Sequence, residues 1–113
     1  MIIIAGTISI PAERRAGCLE ASIPLQAATR NDEPGCIDYV FTADAVRDDI
    51  IAVYERWSDA ACLEAHFLHE NYMNMRDTFG KHGITGADVN KYRVDAHAPV
   101  YNSKMIATAS FDE

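Results

Sequence analysis

Two histidines, His66 and His69, stand three residues apart, about one turn of a helix. Near neutral pH an imidazole is the side chain best poised to take or give a proton, so either is a candidate general base. The pair also has the spacing of two metal ligands, but no carboxylate or third ligand is placed to complete a site, and no metal is expected. Asn71 can hydrogen-bond a ligand oxygen or cap the helical piece that begins at Tyr72. Tyr39, Tyr54, Trp57 and Tyr72 could wall a pocket for a planar ligand, although aromatics at strand and helix spacing are more often plain core. Arg56, Arg76 and Arg93 are candidate partners for an oxyanion. Cys18, Cys36 and Cys62 include no CxxC pair, which suggests reduced thiols and a cytoplasmic protein. No glycine-rich nucleotide motif is present, so no nucleotide cofactor is expected.

Composition limits the partners. The chain has 113 residues, about half of them apolar, enough for one domain with a modest core. Its 17 acidic against 10 basic residues give a formal net charge of −7. Nucleic acid and anionic membranes would repel such a surface. The opening Met1–Ala5 run is too short for a signal-peptide core, and no stretch approaches the roughly 20 apolar residues of a membrane span.

The elements that must position these residues follow from periodicity. Ile2 to Ile10 is rich in β-branched residues and reads as a strand closed by Pro11. Ala16, Leu19, Ile23 and Ala27 form an apolar helical stripe, with a kink expected at Pro24. Asn31 to Gly35 is a turn. Cys36 to Thr42 alternates, with Ile37, Tyr39 and Phe41 on one face. Ile50 to Trp57 alternates too, with Ala52, Tyr54 and Arg56 on one face and Ile51, Val53, Glu55 and Trp57 on the other. Ser58 is the expected N-cap of a helix carrying Leu63 and Phe67, followed by a helical piece with Tyr72, Met75 and Phe79. Lys91 to Ala98 completes the pattern as a last strand.

The order β-α-β-β-α-β is the split-βαβ, ferredoxin-like arrangement of an α+β protein with an antiparallel sheet. Helices on one face leave the other bare, and its mixed polarity points to a homodimer. The domain is expected over residues 1–100. Residues 101–113 form a tail, in which Met105-Ile106-Ala107 could make a short strand against a partner subunit.

Two stretches carry a resemblance. Ala28-Thr29-Arg30-Asn31-Asp32-Glu33-Pro34-Gly35-Cys36-Ile37-Asp38-Tyr39 and Val53-Tyr54-Glu55-Arg56-Trp57-Ser58-Asp59-Ala60-Ala61-Cys62-Leu63-Glu64-Ala65-His66-Phe67 resemble the antibiotic biosynthesis monooxygenase domains. The similarity runs over roughly residues 2 to 98. It implies a dimeric α+β barrel with a pocket between sheet and helices, and oxidation of a small phenolic or quinol-like aromatic by O₂ without a bound cofactor. It also places His66 where the family commonly has a pocket-facing histidine. Related sequences often carry a second histidine where this chain has Asn71. The resemblance then implies His66 as catalytic base, with Tyr39, Tyr54, Trp57, His69, Asn71 and Tyr72 around the substrate. The haem-degrading branch fits poorly, since the first strand offers no Asn. A non-catalytic small-ligand-binding dimer, or an isomerase or lyase on the same barrel, are the competing readings.

Overall fold

The structure is a computed structural model and describes residues 1–112. Seven elements follow one another: β1 (Ile2–Ser9), α1 (Ala12–Asp32), β2 (Cys36–Ala43), β3 (Ile50–Trp57), α2 (Ala60–Phe67), α3 (Glu70–Lys81) and β4 (Gly86–Arg93). The four strands form one sheet in the order β2-β3-β1-β4, every neighbouring pair antiparallel. The helices cover one face. This is the ferredoxin-like α+β fold that the alternating strands imply, with the second helical region split in two.

Strand pairing sets which residues meet the helices. Ile4 lies between Glu55 and Lys91 in register, Tyr39 lies opposite Glu55, and Phe41 opposite Val53. Because side chains alternate, Ile4, Ile8, Tyr39, Phe41, Ile51, Val53, Glu55 and Trp57 share the helix-facing side. Most of them join Leu63, Met75 and Phe79 in the core. A bulge between Cys36 and Asp38 changes the parity of β2. Ile37 therefore leaves the face of Tyr39 and Phe41 and is exposed. Tyr54 and Tyr92, with Ile3, Ala5 and Val40, occupy the opposite face, which nothing in the chain covers; the two tyrosines are 39% and 53% exposed.

α1 departs from the expected stripe. Its buried residues are Cys18, Ser22 and Thr29, while Ile23 is exposed. The reason is that α1 runs along β2, an edge strand whose free backbone groups need partners. The Gln26 amide meets both needs at Phe41: Nε2 donates to its carbonyl at 3.1 Å, and Oε1 accepts from its N–H at 3.1 Å. Arg30 Nε donates to the Tyr39 carbonyl at 2.8 Å. Pro24 sits inside one continuous helix rather than dividing it.

Three further boundaries differ from expectation. Asp59, not Ser58, caps α2, accepting from the Cys62 N–H at 2.8 Å. His69 caps α3, its Nδ1 accepting from the Asn71 N–H at 3.0 Å. The last strand is Gly86–Arg93, not Lys91–Ala98, because β1 supplies its pairing partner and ends at Ile2 opposite Arg93. Beyond it, Tyr101 and Ala107 pair only with each other, as a single bridge within the tail.

Candidate functional site

The turn after α1 is the first part of the site. Gly35 has φ +81°, and an added Cβ there would lie 2.5 Å from Cys62 Sγ. Only glycine allows this approach, and Ser58 N–H fixes it by donating to the Gly35 carbonyl at 2.8 Å. The tight contact presses the Glu33-Pro34-Gly35 turn against the start of α2. As a result Glu33, 7% exposed, faces His66 on the same helix.

Glu33 accepts on both oxygens. His66 Nδ1 lies 2.8 Å from Oε1, and Asn71 Nδ2 donates to Oε2 at 3.2 Å. A carboxylate beside Nδ1 draws the proton to that nitrogen, so Nε2 carries the lone pair. No protein group among the described residues bonds Nε2. The ring itself is 1% exposed and packs among four aromatic rings. Trp57 lies 4.6 Å away between centroids, Tyr39 and Tyr72 each 5.4 Å, and Phe67 5.7 Å. Burial pushes the His66 pKa below its ordinary value, and Glu33 only partly opposes that shift. The imidazole is therefore neutral at pH 7, as a base must be.

Trp57 connects this group to a second one. Its Nε1–H donates to Glu55 Oε1 at 2.9 Å, both residues being buried. Glu55 Oε2 has no protein partner among the described residues. Burial raises the Glu55 pKa from near 4.5 to about 7; the Trp57 bond works against this and Glu33 adds to it.

Two adjoining cavities open between the sheet and α2–α3. The smaller, about 170 Å³, is lined by His66, Tyr39, Met75, Arg76 and Phe79. The larger, about 360 Å³, reaches β4 at Val89 and Lys91. Ile8, Phe41, Glu55, Phe67 and Tyr72 belong to both, so Glu55 stands where they join. The walls are mainly apolar, with a few polar groups, as small-molecule sites are.

Of the residues singled out from sequence, the fold brings His66, Tyr39 and Tyr72 to this cleft, with Trp57 and Asn71 behind them. Asn71 holds Glu33 instead of capping α3. His69 is occupied as that cap. Tyr54 lies on the opposite face of the sheet, since its parity in β3 is that of Arg56. Arg76 reaches the cleft and lies 5.9 Å from the Tyr72 ring centroid. Arg56 pairs with Asp38 on the far face. No cluster of three or more His, Cys, Asp or Glu suited to a metal occurs among the described residues. Among the described residues no helix is long and apolar enough to cross a membrane. Sequence reasoning missed Glu33 and Glu55. Glu55 left a signal, an acid among inward-facing Ile51, Val53 and Trp57; Glu33 left none.

A four-stranded antiparallel sheet with helices on one face, and a histidine–carboxylate pair set in an aromatic cleft beneath them, define a small α+β domain of ferredoxin-like topology. The chain belongs to the antibiotic biosynthesis monooxygenase family, whose sequence model matches residues 1–78. An uncharacterized protein of Synechocystis is 32% identical over 97 residues, which are 82% of this chain and 63% of that relative's length. A Deinococcus radiodurans structure named for the same family superposes with a TM-score of 0.80 at 22% identity, covering 90% of this chain and all of the other. A conserved protein from Methanosarcina mazei gives 0.73 at 21% identity over 81% and 90% of the two chains. At such identities the structural likeness establishes the fold.

Proposed function

We infer that this protein is a cofactor-independent monooxygenase that oxidises a small phenolic or quinol-like aromatic with O₂. The observation that carries this reading is the buried Glu33–His66 pair, whose Nδ1–Oε1 contact of 2.8 Å leaves Nε2 free in an aromatic cleft. His66 Nε2 takes the phenolic proton, and the imidazolium so formed is held by Glu33 and the surrounding ring faces. The phenolate then passes one electron to O₂. Radical recombination makes a C–O bond at an electron-rich ring carbon, and the peroxide takes up a proton. Loss of that carbon's hydrogen to base, with cleavage of the O–O bond, gives a carbonyl and water. One phenol and one O₂ become one quinone and one H₂O.

Tyr39 and Tyr72 wall the substrate, and Arg76 brings positive charge to the cleft for the phenolate. Trp57 and Asn71 act from behind, holding Glu55 and Glu33. A homodimer, formed through the open sheet face of Tyr54, Tyr92 and Val40, would close the barrel. A non-redox isomerase or lyase remains the competing reading, because His66 and Glu55 together could also move a proton without O₂.

The test is oxygen uptake by metal-free protein against a panel of hydroquinones and anthrones, with autoxidation subtracted. Uptake that saturates with substrate and falls about 10²-fold or more in His66→Ala supports the reading. Substrate consumed with no oxygen uptake, giving a product of unchanged mass, would replace it by the isomerase.

A further inference from the structure

We propose that Glu55 is a second ligand-binding group of the cleft, a protonated carboxylic acid that donates to a carbonyl oxygen, so that the site takes planar aromatics bearing both a hydroxyl and a carbonyl. The hydroxyl lies at His66 and the carbonyl at Glu55. The inference rests on the reading of this cleft as a site for oxygenated aromatics, but it requires no turnover.

Three observations support it. Glu55 is 6% exposed and belongs to both cavities, so a ligand filling the cleft must meet it. Trp57 Nε1–H already occupies Oε1, so the acidic proton resides on Oε2, which has no protein partner among the described residues. An unpartnered hydroxyl in an apolar wall costs free energy until a ligand acceptor satisfies it. The third is the relation to His66. Trp57 binds Glu55 through its edge and packs its ring against the imidazole, so the carboxyl and His66 both touch one indole.

The charges around Glu55 favour the protonated form. Tyr39 faces it from β2, and its hydroxyl is held protonated by burial. Glu33, at the end of α1, repels a second carboxylate. His66 from α2 is neutral, and Tyr72 and Arg76 come from α3. Lys91 lies on β4, one strand beyond Ile4. The two cations are both exposed and do not offset desolvation, so the acid is about half protonated at pH 7.

The test is calorimetric titration of the full chain with 3-hydroxyacetophenone and with phenol, between pH 5.5 and 8.5. Neither compound forms a quinone by simple loss of hydrogen, and the carbonyl can only accept. The wild type should prefer the ketone by about tenfold at pH 5.5, the worth of one good hydrogen bond, and lose that preference as pH rises past 7. Glu55→Gln keeps an oxygen for Trp57 and presents an amide N–H₂ at every pH. Its preference should therefore persist to pH 8.5. Glu55→Ala should show none. A wild-type preference independent of pH, a Glu55→Gln variant that follows the wild-type pH curve, or no binding of the ketone at all would each overturn the proposal. Because no oxygen is consumed, these outcomes are separate from failure of the oxygenase reading.

Discussion

Replacing Glu55 by Gln should stabilise the protein at alkaline pH, and by an amount the structure sets. Glu55 is nearly excluded from water, and its pKa is raised from near 4.5 to about 7. A raised folded-state value means that the native protein holds this proton more tightly than the unfolded chain. The associated stability is therefore fully present below about pH 4.5 and is lost as pH rises through about 7. At about 1.4 kcal/mol per factor of ten in affinity for the proton, the loss between pH 4.5 and full ionisation is about 3 kcal/mol. Glutamine is neutral throughout and keeps the Trp57 hydrogen bond, so the variant escapes that loss. Urea unfolding followed by Trp57 fluorescence, at pH 5, 6, 7 and 8 and one fixed protein concentration, gives both stabilities. The gap between variant and wild type should widen in favour of Gln from pH 5 to pH 8. Other groups titrate equally in both proteins and cancel in the difference. Two parallel stability curves would show that Glu55 ionises freely and would refute the reasoning.

His66 works in the opposite sense: its folded-state pKa is lowered, chiefly by burial, so its contribution is present above about pH 6.5 and is lost as pH falls, and His66→Gln should flatten the acid side of the same unfolding profile. Glu33→Gln leaves one acceptor oxygen for the two donors, His66 and Asn71, and removes the charge that would hold an imidazolium; turnover should drop about 10²-fold while circular dichroism stays native, and full activity would remove Glu33 from the proposed mechanism. Gly35→Ala places a methyl group 2.5 Å from Cys62 Sγ at a positive φ, and should cost roughly 2 kcal/mol or more in urea denaturation. Light scattering should give twice the chain mass at micromolar concentration, and Tyr54→Asp, on the open sheet face, should return it to the monomer.

The first three strands were legible because their physics is local, whereas the fourth runs from Gly86 to Arg93 and not from Lys91 to Ala98. β3 is a run of β-branched and aromatic residues whose two faces are told apart by period two, and its observed bounds Ile50–Trp57 are those read from the sequence. His66 was singled out through the family resemblance, which puts a pocket-facing histidine at this position, and it is buried at 1% exposure. α1 was not legible. Its buried face carries Ser22, Gln26 and Thr29 because it satisfies the backbone of an edge strand, and hydrophobic periodicity cannot report a polar contact of that kind. Glu33 was hidden for a different reason. It is 33 residues from its partner, and only the close packing of Gly35 on α2 brings the two together.

The fold has thus placed two carboxylates near one histidine and given them different work. Glu33 accepts from His66 and Asn71, and so serves as the fixed acceptor that orients the imidazole. Glu55 has an indole N–H as its one hydrogen-bond partner among the described residues and lies in a mainly apolar wall near Glu33, which leaves its protonated form the easier one to bury. Environments that drive the imidazole pKa down and the carboxyl pKa up leave His66 neutral and Glu55 partly protonated near pH 7, the states that the proposed roles require. Had Glu55 been within reach of His66, the two would have neutralised each other as an ion pair, and the cleft would hold neither a free base nor a free acid. Trp57 prevents that: its edge ties Glu55 through one oxygen while its ring occupies the space against the imidazole. The indole at the end of β3 touches both groups, so the roles proposed for His66 and Glu55 both depend on it, although it need not touch a substrate.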